Sequence, residues 1–370
     1  MDLEPGQSAV AHFCRLMRRQ GDDSGVQSDD DDRTEPISAN LLPPGHELVF
    51  ESMFKSKQRL TLKRGPLLGS GGLGIVYSMT QVDGTKVAVK IVGRSIGGQG
   101  ASAIAEAGEE LLEIVDREAS VSATLGFQDP AALLTEARLL AAHDILRLPG
   151  NKQVFNFGNL FLFCNRFLVF PEAAGTLEDL IGVLDDSEMA LHARLSATSQ
   201  MINVIANLHS KRMIHGDIKP TNFFLSDNGI VLLGDFSYPL TDGDVAALVV
   251  VTPSMLSPEV VRFVKEGSAV RVDRTLDSWM LGLTLYILWC GRLPWGLSLQ
   301  EEDYDKIMGL HRQSRPATLS FNDCNGIIPQ IQVLILHFLS KDPKDRWTPR
   351  RAVVELDIYP VSETQSAAQA

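Results

Sequence analysis

Apolar and polar positions change rhythm several times along this chain. IVYSMT (75–80) and KVAVKIV (86–92) are rich in β-branched residues, and the Asp-Gly pair between them predicts a tight hairpin. Just upstream, GSGGLGIV (69–76) puts a glycine-rich turn ahead of the first of these strands. PAALLTEARLLAAH (130–143) opens with Pro and is rich in Ala and Leu, which predicts a helix. Met201, Val204, Ile205 and Leu208 recur at helical spacing and mark a core-facing stripe. FFL and IVLL on either side of SDNG predict a second hairpin. The run from Leu281 to Cys290 reads as a buried helix; it falls short of the ~18–20 apolar residues of a membrane span.

The two ends break this pattern. QGDDSGVQSDDDDRTEP offers almost nothing to bury, so residues 1–45 are expected to form a disordered acidic tail. VSETQSAAQA predicts a second tail over 361–370. Between them, 44% hydrophobic residues in a chain of 370 support a substantial core. A net charge of −12 argues against nucleic acid or an anionic membrane as the main partner. The N-terminus lacks the basic start and apolar stretch of a signal peptide. The four cysteines form no CxxC pair, so zinc is not expected. Cys290 and Cys324 can pair, but the simpler expectation is buried free thiols throughout.

The glycines at 69, 71 and 74 have GxGxxG spacing. A dinucleotide fold needs such a loop to open a helix; here it runs into a strand, and the Lys-Ser/Thr end of a P-loop is missing. A glycine turn between strands can instead lie over a triphosphate and offer backbone N–H donors. Lys90 sits mid-strand among Val87, Val89 and Ile91, where a charge is costly unless paired. Phosphates and a helix carboxylate would satisfy it. Glu136, in the predicted helix 130–143, is the expected carboxylate, with Glu109, Glu110, Glu113 and Glu118 as rivals. The long interval between Lys90 and Glu136 predicts an insertion. HGDIKPTN (215–222) then places Asp217, Lys219 and Asn222 at fixed offsets after a helix, and GDFS brings Asp235 just beyond the second hairpin. Phosphoryl transfer accounts for this set. One carboxylate orients the acceptor hydroxyl and takes its proton, a Lys neutralises the moving phosphoryl, and Asn with a second Asp holds Mg²⁺. Turn-forming and capping roles fit any one of these residues but not all at these offsets.

Over roughly residues 60–355 these motifs resemble the eukaryotic-type protein kinases. The order matches throughout, with SPE (257–259), DSWMLG (277–282) and Arg346 of KDPKDRW, which would pair with Glu259. The resemblance implies an α+β two-lobe protein kinase fold. An antiparallel β N-lobe with one key helix would span 46–170, and a mainly helical C-lobe 171–360. It implies ATP and Mg²⁺ as cofactors. Gly69, Ser70, Gly71, Gly72, Gly74, Val76, Ala88, Lys90, Glu136, Phe170 and Glu172 would line the nucleotide, and Asn222 and Asp235 would hold the metal. Asp217 and Lys219 would be catalytic. Lys219, Pro220 and Thr252 match the serine/threonine pattern, so a protein Ser/Thr hydroxyl is the expected acceptor. RGPLLGSGGLGIVY, the extended stretch before Glu136 and LDSWMLGLTLYILWCGRLPW resemble the rhoptry kinases of apicomplexan parasites. That implies a secreted effector reaching rhoptry and host cell, whereas the N-terminus fits a cytoplasmic protein. The same group includes pseudokinases that bind and regulate a partner, which is the alternative function.

Three departures from the family pattern stand out. Gly216 replaces the Arg that usually clamps an activation-loop phosphate, so the loop is expected to be held by packing of Leu248 to Val251 without phosphorylation. Ser237 replaces the glycine of D-F-G and lacks its freedom at positive φ. Pro171 removes one backbone donor from the linker between lobes, next to Phe170, the expected gatekeeper.

Overall fold

Strand alternation builds the smaller lobe. In the computed structural model, which describes residues 5–23, 42–54, 58–97, 100–127, 129–158, 160–246, 252–267, 270–313, 319–322, 324 and 326–355, β1 (Glu47–Ser52), β2 (Arg59–Gly71), β3 (Gly74–Gln81) and β4 (Lys86–Ser95) form an antiparallel meander. After β5 (Leu139–Leu140), which joins the other lobe, come β6 (Asp144–Arg147), β7 (Val154–Phe157) and β8 (Phe161–Pro171). The seven-stranded sheet runs β4-β3-β2-β1-β6-β8-β7, and β8 also pairs with β4, so the sheet closes on itself. Closure removes edges that would otherwise be open to other chains. Val87, Val89 and Ile91 point into the ring with Phe50, Tyr77 and Phe167. Ala88, Lys90 and Val92 alternate to the outer face, where α2 (Ala101–Thr124) lies across the sheet. Ala107, Leu111, Ile114, Val115, Glu118 and Val121 form the buried stripe of α2.

The helix expected over 130–143 is largely absent. Only Pro130–Ala132 is α-helical, and a single π-turn covers Leu133–Ala137. Arg138 then turns left-handed at φ 56, and Leu139 and Leu140 enter the interlobe core as a strand. Burying two leucines there overrides the helix propensity of the segment.

The larger lobe contains α3 (Leu177–Val183), α4 (Glu188–Ser210), α5 (Pro258–Lys265), α6 (Arg274–Cys290), α7 (Tyr304–Gln313), α8 (Pro329–Phe338) and α9 (Pro349–Glu355). Every residue of α6 from Leu276 to Trp289 is buried, which explains its all-round apolar sequence. Short strands frame the loops that matter. β9 (Gly175–Thr176), β11 (Phe223–Leu225) and β12 (Val231–Gly234) extend β5 into a small sheet. β10 (Met213–Ile214) pairs with β13 (Leu240–Thr241), and β14 (Val245–Ala246) with β15 (Val270–Arg271).

Two further expectations need correction. The first is the disordered tail over 1–45. Residues Pro5–Asp23 form a helix, α1, whose Ala9, Val10, Phe13 and Cys14 are buried in the core of the larger lobe. These positions share one helical face, a local stripe masked by the acidic composition that follows it. Arg18 pairs with Asp227 at 3.1 Å, and α1 comes so close to the β11–β12 turn that a Cβ on Gly229 would lie 2.2 Å from the Gln7 carbonyl oxygen. Residues 24–41 and the tail 361–370 lie outside the described residues. The second is the thiols. Cys14 and Cys164 are free and buried, but Cys290 and Cys324 form a disulfide tying the end of α6 to the segment before α8. Folding brings their Cα atoms to 4.2 Å, a proximity no spacing rule reveals. No helix among the described residues is long and apolar enough to cross a membrane.

Candidate active site

The cleft between the lobes gathers side chains from five elements. Its roof is the β2–β3 turn. Gly74 has φ 143, and a Cβ there would sit 2.2 Å from the Ile91 carbonyl oxygen, so the fold itself requires this glycine. Gly69, Gly71 and Gly72 have nothing within 4 Å of an added Cβ; that side is open for a ligand to approach the backbone. Ser70 pairs with Ile75 across the turn, and Val76 lies opposite Lys90.

Lys90 is the junction of the two lobes. Its Nζ donates to Glu118 Oε2 at 2.9 Å and Oε1 at 3.2 Å, to Asp235 Oδ1 at 2.7 Å and to Ser237 Oγ at 3.2 Å. The helix carboxylate is therefore Glu118 of α2; Glu136, expected in that role, is exposed on the π-turn. Glu118 was legible only as part of a helical stripe, since it follows Ile114 and Val115 on the buried face. Burial alone would drive the Lys90 pKa down, but Asp235 and Glu118 hold it above the usual lysine range. Burial pushes the Glu118 carboxyl up against the pull of Lys90. Burial acts in the same direction on Asp235, but Lys90 and the Ser237 hydroxyl overcome it and hold its carboxyl well below the usual range.

Asp235 has φ 63, an uncommon backbone state for a residue with a Cβ. Phe236 beside it is buried and meets the His215 ring edge-on at 4.9 Å. Ser237 does not have positive φ, so the chain does not use the freedom that a glycine would bring there.

The catalytic-loop trio closes around Asp217. Lys219 Nζ lies 2.8 Å from its Oδ2, Thr252 Oγ1 donates to Oδ1 at 3.0 Å, and Asn222 Nδ2 donates to its carbonyl oxygen at 2.7 Å and to Oδ2 at 3.0 Å. Lys219 also donates to Thr252 at 3.0 Å. This loop hangs from α6. The fully buried Asp277 accepts from His215 N at 2.9 Å, Gly216 N at 2.8 Å and His209 Nε2 at 2.8 Å. Burial would raise the Asp277 pKa, but these donors keep it low. Gly216 has φ 79, and a Cβ would press on Leu240 at 3.2 Å, which is a physical reason for glycine there.

Past Ser237, the loop is tied down at several points. Arg274 Nε meets Asp242 Oδ2 at 3.0 Å, Arg212 Nη2 donates to the Asp242 carbonyl oxygen, and β14 pairs with β15. Leu248 to Val251, the expected packing anchor, lie outside the described residues. Farther on, Arg346 grips Glu259 with two bonds, 2.7 and 3.1 Å. At the linker, Phe170 lies in register with Ala88 on the cleft side, and Leu168 lies opposite Lys90. Glu172 accepts from Ser78 Oγ at 2.5 Å.

The donor set suits a magnesium–nucleotide. Among the described residues no three His, Cys, Asp or Glu groups could cage a metal alone. Oδ2 of Asp235 and the amide oxygen of Asn222 have no hydrogen-bond partner among the described residues, and both are hard oxygen donors. Mg²⁺ is characteristically held by one or two such groups plus phosphates.

Sheet lobe, helical lobe and this cleft together define a two-lobe protein kinase fold. The chain belongs to the kinase-like family, whose model matches residues 50–346. Serine/threonine-protein kinase ROP17 of Toxoplasma gondii is 28% identical over 99% of this chain, which spans 61% of that protein's length. A solved ROP18 kinase domain in complex with AMP-PNP and sucrose superposes with TM-score 0.73 at 24% identity, covering 99% of this chain and 94% of that one. ROP2 from Toxoplasma gondii, described as a virulence factor with a protein-kinase fold and no enzymatic activity, gives TM-score 0.75 at 21% identity over 99% and 98%.

Proposed function

We propose that this chain is an active serine/threonine kinase domain that transfers the γ-phosphoryl group of ATP to protein hydroxyls, in the manner of a secreted rhoptry-type effector. The observation that carries the reading is a pair of charge networks, coupled by the pull of Lys219 on the Asp235 carboxylate. Lys90 joins Glu118 and Asp235 across the cleft, while Asp217 is aimed by Lys219, Asn222 and Thr252. Bound Mg²⁺–ATP would supply the transferable phosphoryl group and spread its charge. Lys90 would hold the phosphates, and Asp235 and Asn222 would offer the metal their free oxygens. Asp217 would orient the acceptor hydroxyl and accept its proton, with Lys219 neutralising charge at the same point. Thr252, bonded to both Asp217 and Lys219, supports a Ser/Thr acceptor. The Cys290–Cys324 disulfide supports folding in an oxidising compartment, in keeping with secretion.

A pseudokinase is the second reading, because ROP2 is described as having this fold without activity. The presence here of the lysine, both aspartates and the asparagine favours the kinase. The test is transfer from γ-labelled ATP to a general acceptor protein, comparing wild type with Asp217→Ala. Loss of label with Mg²⁺–ATP binding retained supports the kinase. Binding of Mg²⁺–ATP by wild type without any transfer supports the pseudokinase.

A further inference from the structure

Ser237 stands where the family has glycine, yet its backbone does not adopt positive φ. What it contributes is a side chain. The residue is 4% exposed, and its Oγ lies 2.8 Å from Asp235 Oδ1, 3.2 Å from Lys90 Nζ and 3.4 Å from Glu118 Oε2. A hydroxyl has one proton to give and can accept from a donor-only ammonium. Lys90 therefore donates to Oγ, and the hydroxyl proton goes to the nearer carboxylate, Asp235. The bond is charge-assisted and spans only two residues, and it acts on a residue whose left-handed backbone, φ 63, is intrinsically unfavourable.

We propose that Ser237 is a positioning residue: its hydroxyl shares Asp235 Oδ1 with Lys90 and so holds the carboxylate turned into the cleft, leaving Oδ2 for the divalent metal of the nucleotide. The inference rests on the kinase reading of the site. A glycine would leave the segment free to swing Asp235 and Phe236 out. Serine restrains the backbone and adds a tether, so the working arrangement is present before ligand arrives.

The experiment uses the full chain with Ser237→Ala and Ser237→Cys; the cysteine variant keeps the side-chain volume but is a poor donor. Hydrogen exchange at the backbone amides of residues 234–238, without nucleotide, reads the opening equilibrium. Both variants are expected to exchange about tenfold faster there, the factor for one lost hydrogen bond to a charged group, with exchange in α6 unchanged. Both should also bind Mg²⁺ more weakly at saturating nucleotide. Wild-type exchange and wild-type Mg²⁺ affinity in Ser237→Cys would overturn the proposal, because volume alone would then suffice. Asp235→Asn separates the two readings. If it leaves Mg²⁺ affinity unchanged, Asp235 is not the metal ligand and the kinase reading of the site fails, whereas the exchange result judges the tether on its own.

Discussion

Lys90 shows how much one side chain's partners decide. A lysine on the cleft face of a strand needs carboxylates, and Glu118 and Asp235 supply them. Glu118→Gln leaves the lysine without one anchor, and kcat/KM should fall about 100-fold, the scale for a misplaced catalytic group. Glu136→Gln should leave steady-state kinetics unchanged; a fall equal to that of Glu118→Gln would refute the pairing. A lysine paired with a helical glutamate was legible in the sequence, but the choice among several helical glutamates was not. It depends on which helix face meets the sheet. His311 offers a test of a different kind. It is buried with Trp279 and Trp295 at its ring edges, and burial, aided by Lys341, lowers its pKa from 6.5 to about 4. The unfolded chain therefore binds the extra proton first, so stability is lost as pH falls below about 6.5 and levels off below about 4. Going from pH 7 to 5 should cost about 2 kcal/mol through this residue. Denaturant titrations at the two pH values should show that loss in wild type and a smaller one in His311→Phe.

Between residues and the whole lies the activation segment. With Gly216 in place of arginine, there is no catalytic-loop clamp for a phosphate. The segment is instead held by the β10–β13 and β14–β15 pairings and by Asp242, which meets Arg274 and Arg212. Phosphatase treatment should leave activity unchanged, and so should the double variant Tyr238→Phe/Thr241→Ala; collapse of either would show that a modified hydroxyl is needed. Arg274→Ala removes one half-exposed ion pair and should lower activity at most about fivefold. Element by element, legibility followed locality. The two hairpins were readable from their turn residues and strand patterns. The segment 130–143 was not, because its helix propensity lost to the burial of Leu139 and Leu140 beside β12. The acidic-tail expectation failed over α1 for the converse reason, since its short amphipathic stripe is buried against α4, a partner far away in the sequence.

At the scale of the molecule, a closed sheet and a helical lobe meet at one cleft, and long-range links hold the larger lobe to that shape. The Cys290–Cys324 bond spans 34 positions. Its reduction should cost about 2–4 kcal/mol and lower Tm by roughly 3–5 °C; calorimetry with and without reductant checks this, and an unchanged Tm would mean the bond carries no load. The sequence by itself determined which chemical groups are on offer: a glycine turn between strands, a lysine, two aspartates and an asparagine at set offsets, with the order of motifs that goes with a two-lobe kinase fold. Those signals are local, because turn formation, strand alternation and loop offsets depend on near neighbours. Tertiary structure alone decided which glutamate meets Lys90, that Ser237 reaches Lys90, that α1 is covered and that two distant cysteines touch. Each of these depends on the relative placement of separate elements, which is settled by how their apolar faces are buried together.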